Sequence, residues 1–345
     1  MSHLEREIAE QPQVLRTLLR AQAAPVGAIA AAIKRFQPAF VQIAARGTSD
    51  NAARYAQYLM GIVLRMPVGL AAPSVHTLYG AQPNLARALV IGISQSGKSV
   101  DVLQVISDAR AQGALTLSIT NDANSPLAQA AEYHIPLHAG EERAVAATKT
   151  YTAELAAVAL LVTALADDDA MRAALNAVPD ALDATLTLCD PIAGWAQRYR
   201  YMPQLACIGR GYNYCTAFEI NLKVTELCYI TGVGFSEADF LHGPIAQISP
   251  GFPVLVVAPS GKTLPTLLTF LEKLKARQAE ALVIASDEAA FVHAQQQMRI
   301  PAATPEWLTP ITAVMPGQVF AMQLAAAKGY DLDNPLGLTK VTLTL

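Results

Sequence analysis

Ala88-Leu89-Val90-Ile91-Gly92-Ile93-Ser94-Gln95-Ser96-Gly97-Lys98-Ser99, followed by an apolar-periodic segment from Val100 to Ala111, is the stretch on which the fold turns. An uninterrupted apolar run reads as a strand buried on both faces of a parallel sheet, and the helix after it starts at the Ser/Gly cluster. Such a junction makes an anion site: helix-start N–H groups, the positive end of the helix dipole, and three hydroxyls with a Gln amide can surround a phosphate. Gly92 to Ser99 also fits G-x-x-x-x-G-K-S, the P-loop signature of nucleotide-binding proteins.

The rest of the chain argues against the nucleotide reading. Val254-Leu255-Val256-Val257-Ala258-Pro259-Ser260-Gly261-Lys262-Thr263 repeats the strand and the S-G-K-[ST] turn, with Val256 where Gly92 stood. Gly92 is therefore expected to be a strand residue. The duplication extends further: Arg46-Gly47 and Arg210-Gly211 each end a buried run and lie 164 positions apart, as do Ser96 and Ser260. Ile119-Thr120-Asn121-Asp122 and Ile284-Ala285-Ser286-Asp287 are offset by 165. Features recurring in register mean two tandem copies of one α/β unit.

A chain of 345 residues accommodates two ordinary domains. Charged residues make up 15% and the formal net charge is −3, which gives no general electrostatic basis for binding nucleic acid or an anionic membrane. Cys189, Cys207, Cys215 and Cys228 show no C-x-x-C or zinc-finger spacing and read as core residues of a reducing compartment. Glu5, Arg6, Glu7 and Glu10 do not form a signal peptide, and no apolar run approaches twenty residues, so a soluble cytoplasmic protein is expected.

Residues 1–37 read as a helical segment punctuated by Pro12 and Pro25, and 38–167 as the first α/β domain. Within it, strands fall at 39–45, 67–71, 88–93, 115–120 and 133–137. Thr48, Ser49 or Asp50 is expected to cap a helix reaching about Leu64, and the segment 139–150 is a loop feeding a long helix to about Ala166. Linking helices occupy 168–197 and the second domain 198–330. There the pattern predicts strands at 204–209, 253–258 and 281–285, helices at 213–229, 263–277 and 317–329, and a loop from Thr231 to Pro244. The tail 331–345 lacks helical periodicity. Alternating strands and helices imply parallel sheets covered on both faces, with ligands at the carboxyl ends of the strands.

Groups present in only one copy carry the chemistry. The first supplies Thr48, Ser49, Ser94, Ser96 and Ser99; the second supplies Glu219, Lys223 and Glu226 on one helix face, then His242. By periodicity alone the trio is a solvated face with an i, i+4 salt bridge, and His242 in a Gly/Pro loop is a structural hydrogen bonder. Against this, imidazole is suited to moving protons near neutral pH, and a carboxylate in a partly dry site can act as a base. His134 and His138 read as structural, and His3, His76 and His293 offer no constellation.

Several ordered motifs resemble one family over nearly the whole chain: Glu7-Ile8-Ala9-Glu10-Gln11-Pro12, Arg46-Gly47-Thr48-Ser49, Ser94-Gln95-Ser96-Gly97-Lys98-Ser99, Val145-Ala146-Ala147-Thr148-Lys149, Gly209-Arg210-Gly211, Leu222-Lys223 with Glu226, and His242-Gly243-Pro244. In the tail, Asp331-Leu332-Asp333-Asn334-Pro335 and Leu338-Thr339-Lys340 also fit. The chain resembles the isomerase half of glucosamine-6-phosphate synthase and stand-alone proteins of two sugar isomerase (SIS) domains. The resemblance implies two tandem SIS domains, each a three-layer α/β/α unit. It implies that Ser94, Gln95, Ser96 and Ser99 bind a sugar phosphate, and that Thr48, Ser49, Val145 and Ala147 contact the substrate nearby. Glu226 becomes the base moving a proton between C1 and C2 of the open-chain sugar. His242 becomes the ring-opening group, donated across a homodimer, and Lys340 a Schiff-base amine in a tail that completes the active site.

These roles agree with what aldose–ketose interconversion needs: a base reaching both carbons, an acid for ring opening and an anchor for the phosphate. No metal or other cofactor is required. The sequence departs from the synthase at Ala147, where the family has Ser, at Thr225, where it has Lys, and in the tail Leu336-Gly337-Leu338-Thr339-Lys340. With no glutamine-hydrolysing segment before Met1 and no N-terminal cysteine, the expected reaction is deamination of glucosamine 6-phosphate to fructose 6-phosphate and ammonia. The alternatives are an isomerase or deglycase for another phosphosugar, and a regulator that binds a phosphosugar without turning it over.

Overall fold

The structure is a computed structural model describing residues 1–340; residues 341–345, the end of the expected site-completing tail, lie outside the described residues. The chain divides into two compact units. One comprises Gln13–Glu142, Lys149–Asn176 and, of the described tail, Thr339 and Lys340, the other Met1–Pro12, Arg143–Thr148 and Ala177–Leu338. The helix α1 (His3–Phe36) contributes its first turns to the second of these and the remainder to the first, and runs unbroken through Pro12 and Pro25.

The unit containing Gln13–Glu142 is built on strands β1 (Phe40–Ala44), β2 (Val68–Leu70), β3 (Ala88–Ile93), β4 (Leu115–Thr120) and β5 (Tyr133–Pro136), all parallel in the order β2-β1-β3-β4-β5. Helices α2 (Gly47–Leu59) and α6 (Lys149–Ala166) cover one face; α3 (Pro73–Thr77), α4 (Val100–Ala111) and α5 (Pro126–Ala130) lie on the other. β3 is buried at every position, as its apolar run dictates. Gly92 is a strand residue in register with Ala44 and Ser118, and a Cβ there would press on Ile106 at 3.0 Å and Leu127 at 3.1 Å. A strand glycine packed under α4 is not part of a phosphate loop. His76, which offered no constellation in sequence, is buried with Nδ1 2.7 Å from Asp108 Oδ2 and ties α3 to α4.

The helix α7 (Asp169–Asn176) ends this unit; α8 (Val178–Leu188) and α9 (Ile192–Trp195) belong to the other. Its sheet consists of β6 (Gln204–Gly209), β7 (Thr231–Ser236), β8 (Pro253–Val257), β9 (Glu280–Ala285) and β10 (Gln296–Arg299), again parallel, in the order β10-β9-β8-β6-β7. That order is the first sheet's order with β6 for β1 and β7 for β2. α10 (Tyr214–Cys228) and α13 (Thr309–Ala327) pack on one face; α11 (Glu237–Leu241) and α12 (Leu264–Ala276) pack on the other around Phe240, Phe270 and Leu274. Three expectations are corrected. Residues 231–236 form an edge strand and not a loop, β10 is an additional strand, and the last helix begins at Thr309, eight residues before Gly317.

Among the described residues α6 alone is long and apolar enough to cross a membrane, and 83% of that window is buried by the protein itself. It is the central helix of its unit.

Candidate functional site

In the first unit the carboxyl ends of β1, β3 and β4 carry the candidate anion cup. β3 ends at Ile93, and the chain turns through Ser94 to Ser99 before α4. Gly97 takes φ +64, the left-handed region that glycine enters without strain, and its N–H donates to the Ser94 carbonyl at 3.1 Å. The Ser94 and Ser99 hydroxyls are 3.4 Å apart, and the Lys98 N–H faces Ser96 Oγ at 3.3 Å. Ser99 stands at the N-cap of α4 yet makes no side-chain cap bond, so its hydroxyl faces the turn and not the helix start it precedes. Gln95, Ser96 and Lys98 line a cavity of about 210 Å³ together with Asn121 and Asp122, which follow β4, and Lys340.

The Thr48–Asp50 segment behaves differently from its expected capping role. α2 starts at Gly47, its N-cap is Arg46, and no side chain caps it. Thr48 and Ser49 sit in the first helical turn, and Ser49 Oγ, buried, donates to Glu154 Oε1 of α6 at 2.7 Å. That hydroxyl can meet a ligand only as an acceptor. Arg46 Nε reaches the fully buried Asp101 Oδ2 at 2.5 Å, joining the starts of α2 and α4 and fixing the two turns against each other.

Lys340 belongs to this unit as well. Its ammonium lies 2.7 Å from Glu142 Oε2, and Glu142 also accepts from Thr150 N–H at 3.1 Å and Thr150 Oγ1 at 2.7 Å. The lysine thus stands beside the hydroxyl turn, held by a buried carboxylate. Asn121 and Asp122 entered the sequence reading only as a repeat marker and Glu142 only as part of a loop; none of the three was named as a site residue.

In the second unit, α10 presents Glu219, Lys223 and Glu226 along one stripe. Lys223 is only 1% exposed and Glu219 0%, so the solvated-face reading is overturned; Glu226 alone reaches the surface. The ammonium lies 3.3 Å from Glu219 Oε1 and 2.6 Å from Glu226 Oε2. Burial opposes its charge, but the two carboxylates outweigh it and raise the lysine's pKa above the ordinary value. Glu226 is thereby held as a fixed, partly dry carboxylate. His242 is exposed at the end of α11, its N–H bonded to the Asp239 carbonyl at 3.1 Å.

Val145 and Ala147 lie on the Arg143–Thr148 segment of the same unit. Glu7 of α1 accepts the N–H groups of Arg143 at 2.5 Å and Ala144 at 3.2 Å, and the Asp333 carbonyl accepts that of Val145 at 3.3 Å. Asp333 in turn caps α1 through the N–H groups of His3 and Leu4, both at 2.9 Å. The acidic motifs at the two ends of the sequence therefore have one task, to hold the loop that carries Val145 and Ala147.

Two parallel five-stranded units, each with a Ser/Gly turn after its central strand, define a duplicated sugar-isomerase architecture. The chain matches the SIS domain family at residues 39–164 and 202–328, and it belongs to that family. It is 32% identical over 341 residues to a glutamine–fructose-6-phosphate aminotransferase (isomerizing) of Pyrococcus horikoshii, covering 97% of this chain and 56% of the relative. The chain thus spans about half the length of that protein. A candidate phosphosugar isomerase from Silicibacter pomeroyi superposes with a TM-score of 0.87 at 32% identity, covering 96% of this chain and all of the other. The C-terminal domain of glucosamine-fructose-6-phosphate aminotransferase from Francisella tularensis gives 0.89 at 24% identity, covering 97% and 98%, and speaks for the fold.

Proposed function

We propose that this protein is a phosphosugar isomerase acting as an amino-sugar-phosphate deaminase, converting glucosamine 6-phosphate and water to fructose 6-phosphate and ammonia. The observation that carries the reading is the carboxylate of Glu226, fixed by a buried lysine and still reaching the surface. In the open-chain sugar it removes the proton from C2 and returns it to C1, leaving an imine at C2. Water hydrolyses that imine to the ketone and releases ammonia. Ser94, Gln95, Ser96 and Ser99 hold the phosphate through hydroxyls, amides and the α4 dipole, and Thr48, Ser49, Val145 and Ala147 contact the sugar.

In this reading Lys340 is the amine that forms a Schiff base with a ketose carbonyl; to do so it must leave Glu142 and lose its proton. His242 opens the sugar ring from the neighbouring subunit of a homodimer. Mixing Glu226→Gln with His242→Asn subunits then restores about a quarter of wild-type activity, because a two-fold heterodimer keeps one intact site; no recovery on mixing refutes the sharing.

All four cysteines are buried, and burial pushes the Cys189 and Cys228 thiols up to about 12 and raises Cys207 too, the opposite of a nucleophile's tuning. Four free thiols also suit a reducing cytoplasm. The test is to incubate the protein with glucosamine 6-phosphate and assay ammonia and fructose 6-phosphate together. Equimolar products are expected. Turnover of a different phosphosugar alone moves the substrate assignment, and turnover of none returns the chain to the role of a phosphosugar-binding regulator.

A further inference from the structure

The serines of the first unit divide by what their hydroxyls have left to give. The Ser94 and Ser96 oxygens accept backbone N–H groups of their own turn, from Gly97 at 3.2 Å and from Lys98 at 3.3 Å. A hydroxyl has one proton and two lone pairs, so both serines keep the proton for an anion. Ser49 is set the other way. Its proton goes to Glu154 Oε1 at 2.7 Å, and the pair is buried between α2 and α6, Ser49 at 6% exposure and Glu154 at 0%. The Ser49 oxygen has only lone pairs to present to a ligand.

β1 and β3 are paired neighbours with Ala44 beside Gly92, and Arg46 ties the start of α2 to Asp101 of α4. Ser49 therefore follows the strand next to the one that leads into the phosphate cup. A phosphate dianion offers acceptors only, and an acceptor facing an acceptor is repelled. A sugar hydroxyl or an ammonium offers a proton that the Ser49 oxygen can take, and the carboxylate behind the hydroxyl polarises it as an acceptor.

We propose that Ser49 is a specificity residue that recognises a proton donor on the sugar and takes no part in holding the phosphate, and that Glu154 is the positioning residue that fixes this polarity from behind. The proposal rests on the reading of this site as a phosphosugar site.

The test is calorimetric binding of inorganic phosphate, glucitol 6-phosphate and 2-amino-2-deoxyglucitol 6-phosphate, the two sugars being open-chain analogues already reduced at C1 and so not turned over. The proteins are the wild type, Ser49→Ala, Ser96→Ala, Glu154→Leu and the double variant Ser49→Ala/Glu154→Leu. Ser49→Ala should bind inorganic phosphate as the wild type does and bind the sugar phosphates more weakly. The loss is about 2–13-fold for both sugars where the donor is a hydroxyl, and about 10–150-fold for the amino sugar alone where it is the ammonium. Glu154→Leu should lower the same sugar-to-phosphate affinity ratio and should change nothing further in the Ser49→Ala background; a merely structural Glu154 would act alike in both backgrounds. Sugar-phosphate binding unchanged by Ser49→Ala, or inorganic phosphate weakened as much as the sugars, overturns the role of Ser49, and equal effects of Glu154→Leu in the two backgrounds overturn that of Glu154. If Glu154→Leu does not fold, Ser49→Ala decides. Failure of the phosphate cup shows separately, as inorganic phosphate binding that Ser96→Ala leaves unchanged, and a wild type that binds neither sugar phosphate overturns both readings.

Discussion

Replacing Lys223 by Met removes the charge at the centre of the α10 stripe while keeping most of its volume. The consequence follows from burial: Glu219 is 0% exposed and loses an ammonium at 3.3 Å, whereas Glu226 is 23% exposed and can turn to water. Breaking a buried pair from one side costs about 3–5 kcal/mol, because the remaining charge stays buried without its ammonium. At about 2–4 °C per kcal/mol for a unit of this size, the melting temperature should drop by roughly 6–20 °C. The native lysine, its pKa raised, contributes its full stability below the ordinary 10.5 and loses it only as pH climbs through the higher folded value. The wild type should therefore show no loss from this group across neutral pH. In the variant Glu219 gains a proton as pH falls, so the gap between the two proteins narrows toward acid. Chemical denaturation of Lys223→Met, Glu219→Gln and the double variant checks this. The double variant should recover much of the single lysine loss, since it also removes the carboxylate charge that faced the lysine. A loss below about 1 kcal/mol for Lys223→Met, or strict additivity in the double variant, refutes the argument.

Two further outcomes follow from the first unit. Ser96→Ala removes one hydroxyl from the phosphate cup and should raise KM by roughly 10–150-fold with kcat little changed, the worth of one hydrogen bond to an anion; an unchanged KM counts against the cup. Burial lowers the pKa of His134 below 6.5, so its neutral form belongs to the fold and the unfolded chain binds more protons below that pH. Thermal stability should decline from pH 7 to pH 5.5, and His134→Gln should decline less steeply; parallel melting profiles would show that His134 contributes nothing to the slope.

Which parts of this architecture were legible in the sequence follows from burial. β1, β3, β4, β6, β8 and β9 announced themselves because strands covered on both faces are nearly all apolar. β7, with its two glycines, and β10, Gln-Gln-Met-Arg, are edge strands that pair on one side only and lack that signature. The repeat held the missing signal: β2 and β5 occupy the equivalent edges of the first sheet, and β2 shifted by the 164-residue period falls inside β7. α13 was placed late because a helix buried all round has no polar face to set its period. The Ser94–Ser99 turn was legible since strand, hydroxyl cluster and helix adjoin in sequence. The setting of Lys223 was not, because Glu and Lys at helical spacing look like surface until the packing of α10 on α13 is known.

The base assignment of Glu226 is the claim on which the chemistry stands, and proton exchange at carbon measures it most directly. Wild type and Glu226→Gln are each incubated with glucosamine 6-phosphate in deuterated water, and deuterium at C2 of the recovered sugar and C1 of the ketose is followed by NMR. The account predicts incorporation by the wild type, and a rate lower by about 10²–10⁴ in the variant with phosphosugar affinity retained. Exchange at the wild-type rate in Glu226→Gln would contradict it.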